Sequence, residues 1–188
     1  MDRWRSQSRG RHVNRIYCFE GVDGHEWLLP VDGEEFERFF SLDGRAVQDW
    51  DPPEMTLLTH DESGRPRAYS DFPWLGEHAP IFRRRAIERL GDVALRYGQF
   101  LPLQGEGDAW LYNVTNVLDA LDEERARIVR FDDGSILAIE DYAFKADVIG
   151  ASEVFKLPMR ASPVFVTDQF VARVRNSGLV GVAFTPLW

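Results

Sequence analysis

The sequence predicts an α+β fold, a largely antiparallel sheet packed with two or three helices. Apolar runs of strand length recur between clusters of Gly, Pro and Asp, and one pair of runs flanks Asp132, Asp133 and Gly134, a strong hairpin signal. Sustained three-to-four spacing of apolar residues is confined to a few segments. Strands and helices also come in local runs rather than strict alternation, which favours α+β over a parallel-sheet fold. With 188 residues, 44% hydrophobic and 13% aromatic, the chain is long enough for one real core.

In chain order, Ile16 to Phe19 and Trp27 to Leu29 read as strands, and the turn-rich Gly21-Val22-Asp23-Gly24 between them suggests a hairpin. Asp32 is placed to cap a short helix over Glu34 to Phe40 that buries Phe36, Phe39 and Phe40. Asp49 to Pro73 reads as a loop with one strand at Met55 to Leu58, least structured over Glu62 to Pro66. Pro80 is expected to open the strongest helix, with Ile81, Phe82, Ala86, Leu90, Val93, Ala94 and Tyr97 inside and Gly98 as its left-handed stop. Its opposite face, Arg83, Arg84, Arg85, Glu88 and Arg89, reads as solvated. Gly91 weakens that helix by roughly 1 kcal/mol relative to Ala. Phe100 to Leu103, Ala109 to Val114, Arg127 to Phe131, Ser135 to Glu140, Val164 to Val166 and Leu179 to Phe184 are strand candidates. Thr167 caps a helix over Asp168 to Asn176, which buries Phe170, Val171 and Val174 and stops at Gly178.

The organisation expected is a flexible basic arm (1–15), an N-terminal strand and helix lobe (16–75) and a core unit (76–188), the last two forming one compact unit. The arm carries five arginines against Asp2, so the formal net charge of −9 becomes −13 beyond Arg15. Nucleic acid is a poor partner for so acidic a body. No apolar run is long enough to span a bilayer and the N-terminus has no apolar signal core, so no membrane partner and a cytoplasmic location are expected. Cys18, the sole cysteine, reads as a structural thiol.

The sequence holds no phosphate loop and no dinucleotide fingerprint, so no cofactor is expected. His60, Asp61 and Glu62 with His78 could suggest a metal cluster, but consecutive loop residues rarely converge on one ion, and no metal is expected. Cys18 with His12 or His25 is a thiol and base pair in name only. Asp119, Asp122, Glu123 and Glu124 cluster after a strand, and Asp132, Asp133, Glu140 and Asp141 flank the hairpin. In polar turns such carboxylates stay ionised and hydrated, which suits an acidic surface better than a catalytic dyad. From Leu103 to Glu153 there are 12 acidic and four basic residues, a charge that would steer a basic protein partner.

An ordered series of motifs completes the reading: Asp71-Phe72-Pro73, the helix Ile81 to Leu90, Leu101-Pro102-Leu103, Tyr112-Asn113, Leu121-Asp122, Val154-Phe155-Lys156, Phe165-Val166-Thr167-Asp168-Gln169-Phe170 and Leu179-Val180-Gly181-Val182-Ala183-Phe184. Over about the last two-thirds of the chain this resembles the myxobacterial-type immunity proteins of bacterial polymorphic toxin systems, originally catalogued as a domain of unknown function. Arg83 or Arg84 replaces a Ser common in the family before the helix arginine, and Ala126 replaces a Ser after the Leu-Asp pair. The resemblance implies a non-enzymatic protein that binds and neutralises a cognate toxin, with no catalytic residues to carry over. If that toxin is basic, Asp119, Asp122, Glu123, Glu124, Asp132 and Asp133 are the partner-binding candidates. Two other readings are an enzyme of hydrolase type using a carboxylate pair or His60 and His78, and an interaction scaffold or sensor using exposed aromatics such as Trp50, Trp74 or Trp188.

Overall fold

A computed structural model describes residues 15–105 and 108–188. Apart from Arg15, the expected basic arm therefore lies outside the described residues, as does His12.

The architecture is α+β, with four helices and several antiparallel sheets among the described residues. The central sheet joins the two ends of the chain: β1 (Ile16–Gly21) lies between β11 (Phe165–Thr167) and β12 (Val182–Pro186), and β10 (Val154–Phe155) extends it beyond β11. A second sheet holds β2 (Trp27–Pro30), β3 (Glu54–Leu58) and the two-residue β6 (Gln104–Gly105), where β3 and β6 run parallel. In a third, β7 (Ala109–Val114) lies between β4 (Ile81–Arg83) and β5 (Gly98–Pro102). The last is a lone two-stranded hairpin, β8 (Arg127–Arg130) with β9 (Ile136–Asp141). The helices are α1 (Glu35–Phe40), α2 (Arg84–Ala94), α3 (Ala146–Ile149) and α4 (Asp168–Asn176).

Aromatic side chains fill the space between these layers. Phe19 of β1 meets Phe72, Phe82, Phe170 and Phe184 at centroid distances of 5.3–6.5 Å, and Phe82 continues to Phe100 and Tyr112. A second cluster packs Phe144 against Phe155, Phe165 and the C-terminal Trp188. Leu28, Phe39, Met55, Ile81, Leu101 and Leu111 form a third. Fully burying one such side chain contributes about 1.5–3 kcal/mol, so these clusters dominate the folding free energy.

Several expectations are corrected. β1 and β2 form no hairpin: β1 is claimed on both sides by the C-terminal strands, and β2 pairs with β3 instead. The strongest helix begins at Arg84, because Ile81 and Phe82 are both fully buried and belong to β4, opposite Leu111 and Trp110. It ends at Ala94, with Leu95 in the C-cap position. Gly98 is therefore no helix stop. It opens β5 opposite Val114, where an added Cβ would lie 2.4 Å from the Asn113 carbonyl, so close approach of two strands requires glycine. The expected solvated face holds for Arg84, Arg85, Glu88 and Arg89, which are exposed, whereas Arg83 is mostly covered and pairs with Glu26; Arg84 and Arg85 also pair, with Asp108 and Asp71. In α1 only Phe39 is buried, and Asp32 bonds the Glu34 N–H in the preceding turn rather than capping the helix. Thr167 does stand at the N-cap of α4, but its hydroxyl makes no capping bond and is buried without a partner.

Motif residues singled out in the sequence tie segments together. Asp71 is fully buried, and its carboxylate accepts hydrogen bonds from Arg85 Nη1 (2.8 Å), the Val180 N–H (2.8 Å) and the Tyr69 hydroxyl (3.2 Å). Tyr112 donates to the Ala94 carbonyl, and Asn113 Nδ2 donates to that of Arg45. Gly181, at φ +85°, leaves space that the Ser70 side chain occupies. Lys156 Nζ donates to the carbonyls of Leu42 and His78, and burial pushes its pKa down to about 8.

Two stability effects follow from this packing. At Gly91 an added Cβ would meet only Ile87 Cγ2, at 3.4 Å. Gly91→Ala is therefore expected to stabilise the protein by about 0.5–1 kcal/mol, read as a higher urea midpoint. His78 stacks on Phe40 (4.6 Å between centroids), and burial first, then the Lys156 ammonium, lowers its pKa from 6.5 to about 4. Between those values the unfolded chain takes up a proton that the folded chain cannot. Stability should fall as pH drops from about 6.5 to about 4 and level off below. Discounted for partial exposure, the loss attributable to His78 is about 2 kcal/mol. Urea unfolding at pH 7 and pH 4.5 checks this, because His78→Leu should lose less stability than the wild type over that range by about this amount.

Candidate partner-binding face

The acidic candidates lie on one local unit, the segment 115–126 and the hairpin that follows it. The segment is held from below. Leu118 N–H bonds to the Lys156 carbonyl, Asp122 N–H to that of Ala143 and Lys145 N–H to that of Ala120, which buries Ala120 and Leu121. Polar neighbours of these buried residues are left on the outside. The Asp122 carbonyl then accepts the N–H groups of Arg125 and Ala126, a tight turn that delivers the chain into β8.

Asp119 is exposed at the base, 3.8 Å from Lys145 Nζ, and Asp122 is partly covered with Arg125 at 3.9 Å. Glu123 is bound by Arg130 at 2.6 Å, and the same guanidinium donates to the Gly134 carbonyl at 2.8 Å. Arg130 thus brings Glu123 up against the hairpin turn. Glu124 and Asp132 are exposed. Asp133 builds the turn itself, because its Oδ1 accepts the Ser135 N–H (2.9 Å) and hydroxyl (2.6 Å), and these bonds hold its carboxyl below the usual carboxylate range. The outer flank adds Arg127, held by Glu140 at 3.0 Å and Asp141 at 2.9 Å. Exposed pairs of this kind are worth about 0–1 kcal/mol each and leave the carboxylate surplus in place.

Sequence reading missed the apolar residues of this unit. The inner side chains Ile128, Ile136 and Ile139 pack on the Phe144 cluster, while Val129, Phe131 and Leu137 are exposed. No local signal marks the last three as exposed, because apolar residues in a strand pattern read as core until the partners of the strand are known. The aromatics proposed for a scaffold are corrected. Trp50 is held by Pro102 and Arg38, Trp74 packs on Gly21, and Trp188 on Phe144, so each is at least partly buried.

The catalytic candidates occupy separate places. His60 is exposed in a turn beside Thr59 and Pro66, whereas His78 is half-buried under Phe40. Cys18 is buried in β1, and burial together with Glu77 pushes its thiol up to about 11, far from the range of a reactive thiolate. His25 bonds the Asp23 carbonyl in the turn beyond β1. Among the described residues no group of three or more His, Cys, Asp or Glu side chains is arranged to hold a metal ion, and no helix is long and apolar enough to cross a membrane.

The class of protein is given by comparison with known families. Residues 93–187 match an immunity protein family. The family is Imm11, and the chain belongs to it. The matched stretch runs from within α2 to the end of β12 and includes the whole acidic unit, so it begins later than the motif series read from the sequence. No curated protein matches the chain.

Proposed function

We propose that this protein is a non-enzymatic inhibitor that binds a cognate toxin domain in the cytoplasm and blocks its action without cofactor or metal. The family match over the acidic unit is the observation that carries this reading. Asp119, Asp122, Glu123, Glu124, Asp132 and Asp133 form the face that receives the toxin, and the fit requires a basic surface on that partner. Long-range attraction then raises the encounter rate, while short-range contacts set the lifetime of the complex. The buried, raised-pKa thiol of Cys18 and the dispersed histidines support an action by contact rather than chemistry. The test is expression of the adjacent open reading frame in a bacterial host with and without this chain. Rescue of growth together with a co-eluting complex is the expected result; toxicity that persists, or rescue without any complex, would overturn the reading.

A further inference from the structure

We infer that the outer face of the β8–β9 hairpin, centred on Phe131 with Val129, Leu137 and Ala138, is the apolar anchor of the toxin complex, seated on a toxin surface that is apolar at its centre and rich in Lys and Arg around it. This rests on the inhibitor reading above and names the part of the molecule that holds the partner.

The hairpin is built unlike the other sheets. Neither of its strands pairs with a strand elsewhere among the described residues. Its inner face is anchored by Ile128 and Ile139, which stand opposite each other, as do Val129 and Ala138 on the other face. Two irregularities in the register give β9 an extra residue beside Val129 and another beside Ile128; the first is Leu137, 54% exposed. Phe131 is two residues beyond Val129 and 53% exposed. Its backbone N–H already closes the turn on the Ser135 carbonyl, so its ring is not needed to hold the hairpin. Single exposed apolar residues are ordinary on protein surfaces, but four grouped on one two-stranded element are not.

The surroundings decide the occupant. Between Asp119 and Asp141 there are eight carboxylates and three arginines, and each arginine is paired with carboxylates of the same unit. The apolar strip therefore belongs to a unit of net negative charge. An apolar centre with a charged rim is the usual anatomy of a specific interface, and a central aromatic is the usual energetic hot spot. A second copy of this chain would bring two acidic rims together on a protein already at −9, whereas a basic toxin complements them.

The test compares the wild type with Phe131→Ser/Leu137→Ser, and with Leu95→Ser as a control at an exposed position outside the hairpin. Binding to the purified product of the adjacent open reading frame, once shown to be toxic, is measured by calorimetry and dissociation kinetics. The double variant should bind about 30-fold more weakly, mainly through faster dissociation, while the control is unchanged. Hydrogen exchange on the wild-type complex supplies a reading independent of any variant, with new protection expected over residues 127–141. Tight wild-type binding that the double variant retains within about threefold would overturn the anchor and leave the inhibitor reading standing; absent protection over the hairpin would do the same. A wild-type chain that does not bind the toxin overturns the inhibitor reading and the anchor with it. A dimer of this chain that dissociates on Phe131→Ser would assign the face to self-association instead.

Discussion

Asp71→Ala is expected to lower the stability of the protein by about 3 kcal/mol, among the largest effects of any polar substitution in this chain. The carboxylate is fully buried and joins Tyr69, Arg85 and the Val180 N–H. Its own backbone adds bonds to the Val180 carbonyl and the Arg83 N–H. One residue thus fixes the start of α2 and the approach to β12. Removing it leaves the Val180 N–H without an acceptor. Arg85 limits the damage, because it is about half exposed and keeps its bond to the Gly178 carbonyl. Asp71→Asn, which still offers one acceptor, should cost roughly half as much. The contrast is Asp108→Ala, which breaks an ion pair with Arg84 exposed on both sides and should change stability by less than about 0.5 kcal/mol. Urea unfolding of the three variants checks the ranking.

Reversing charge on the acidic unit is expected to slow association with a basic toxin by about tenfold at low salt and to flatten its dependence on ionic strength. Glu124→Lys with Asp132→Lys is the informative pair, because both residues are exposed and neither is among the ion-paired residues of the unit. Glu123 is a poorer choice, since its removal also frees Arg130, and Asp133 is poorer still, since it builds the turn. Stopped-flow association at two salt concentrations reads the effect. Equal rates for wild type and variant at low salt would remove this unit from the encounter surface.

Much of the fold was legible where a single local rule applied. The Asp-Gly turn set the hairpin, Gly178 stopped α4 at φ +70°, and three-to-four spacing chose the buried face of α4. Errors arose where two rules competed. Proline and apolar spacing both favoured a helix from Pro80, yet Ile81 and Phe82 pair with Leu111 and Trp110 of β7 and bury their side chains in two different clusters, as successive residues of a strand do, and only that tertiary pairing decides for the strand. Gly98 could serve as a helix stop or as a close approach, and only tertiary pairing with Val114 decides between them. β1 was read as a strand but its partners come from more than 140 residues away, so no local signal could name them. The acidic members of the candidate face were visible as a charge surplus. Its apolar centre was not, because Phe131 and Leu137 look like core residues until the hairpin is seen to stand alone.

The most direct measurement is a titration of the purified toxin domain with this chain, followed by the toxin's activity and by intact mass of both proteins. The account predicts that activity falls linearly to zero at a fixed molar ratio, with neither mass changed, because inhibition is occupation of a surface. Complete inactivation by a small fraction of an equivalent, growing with time or accompanied by a change in toxin mass, would contradict it and make the protein an enzyme.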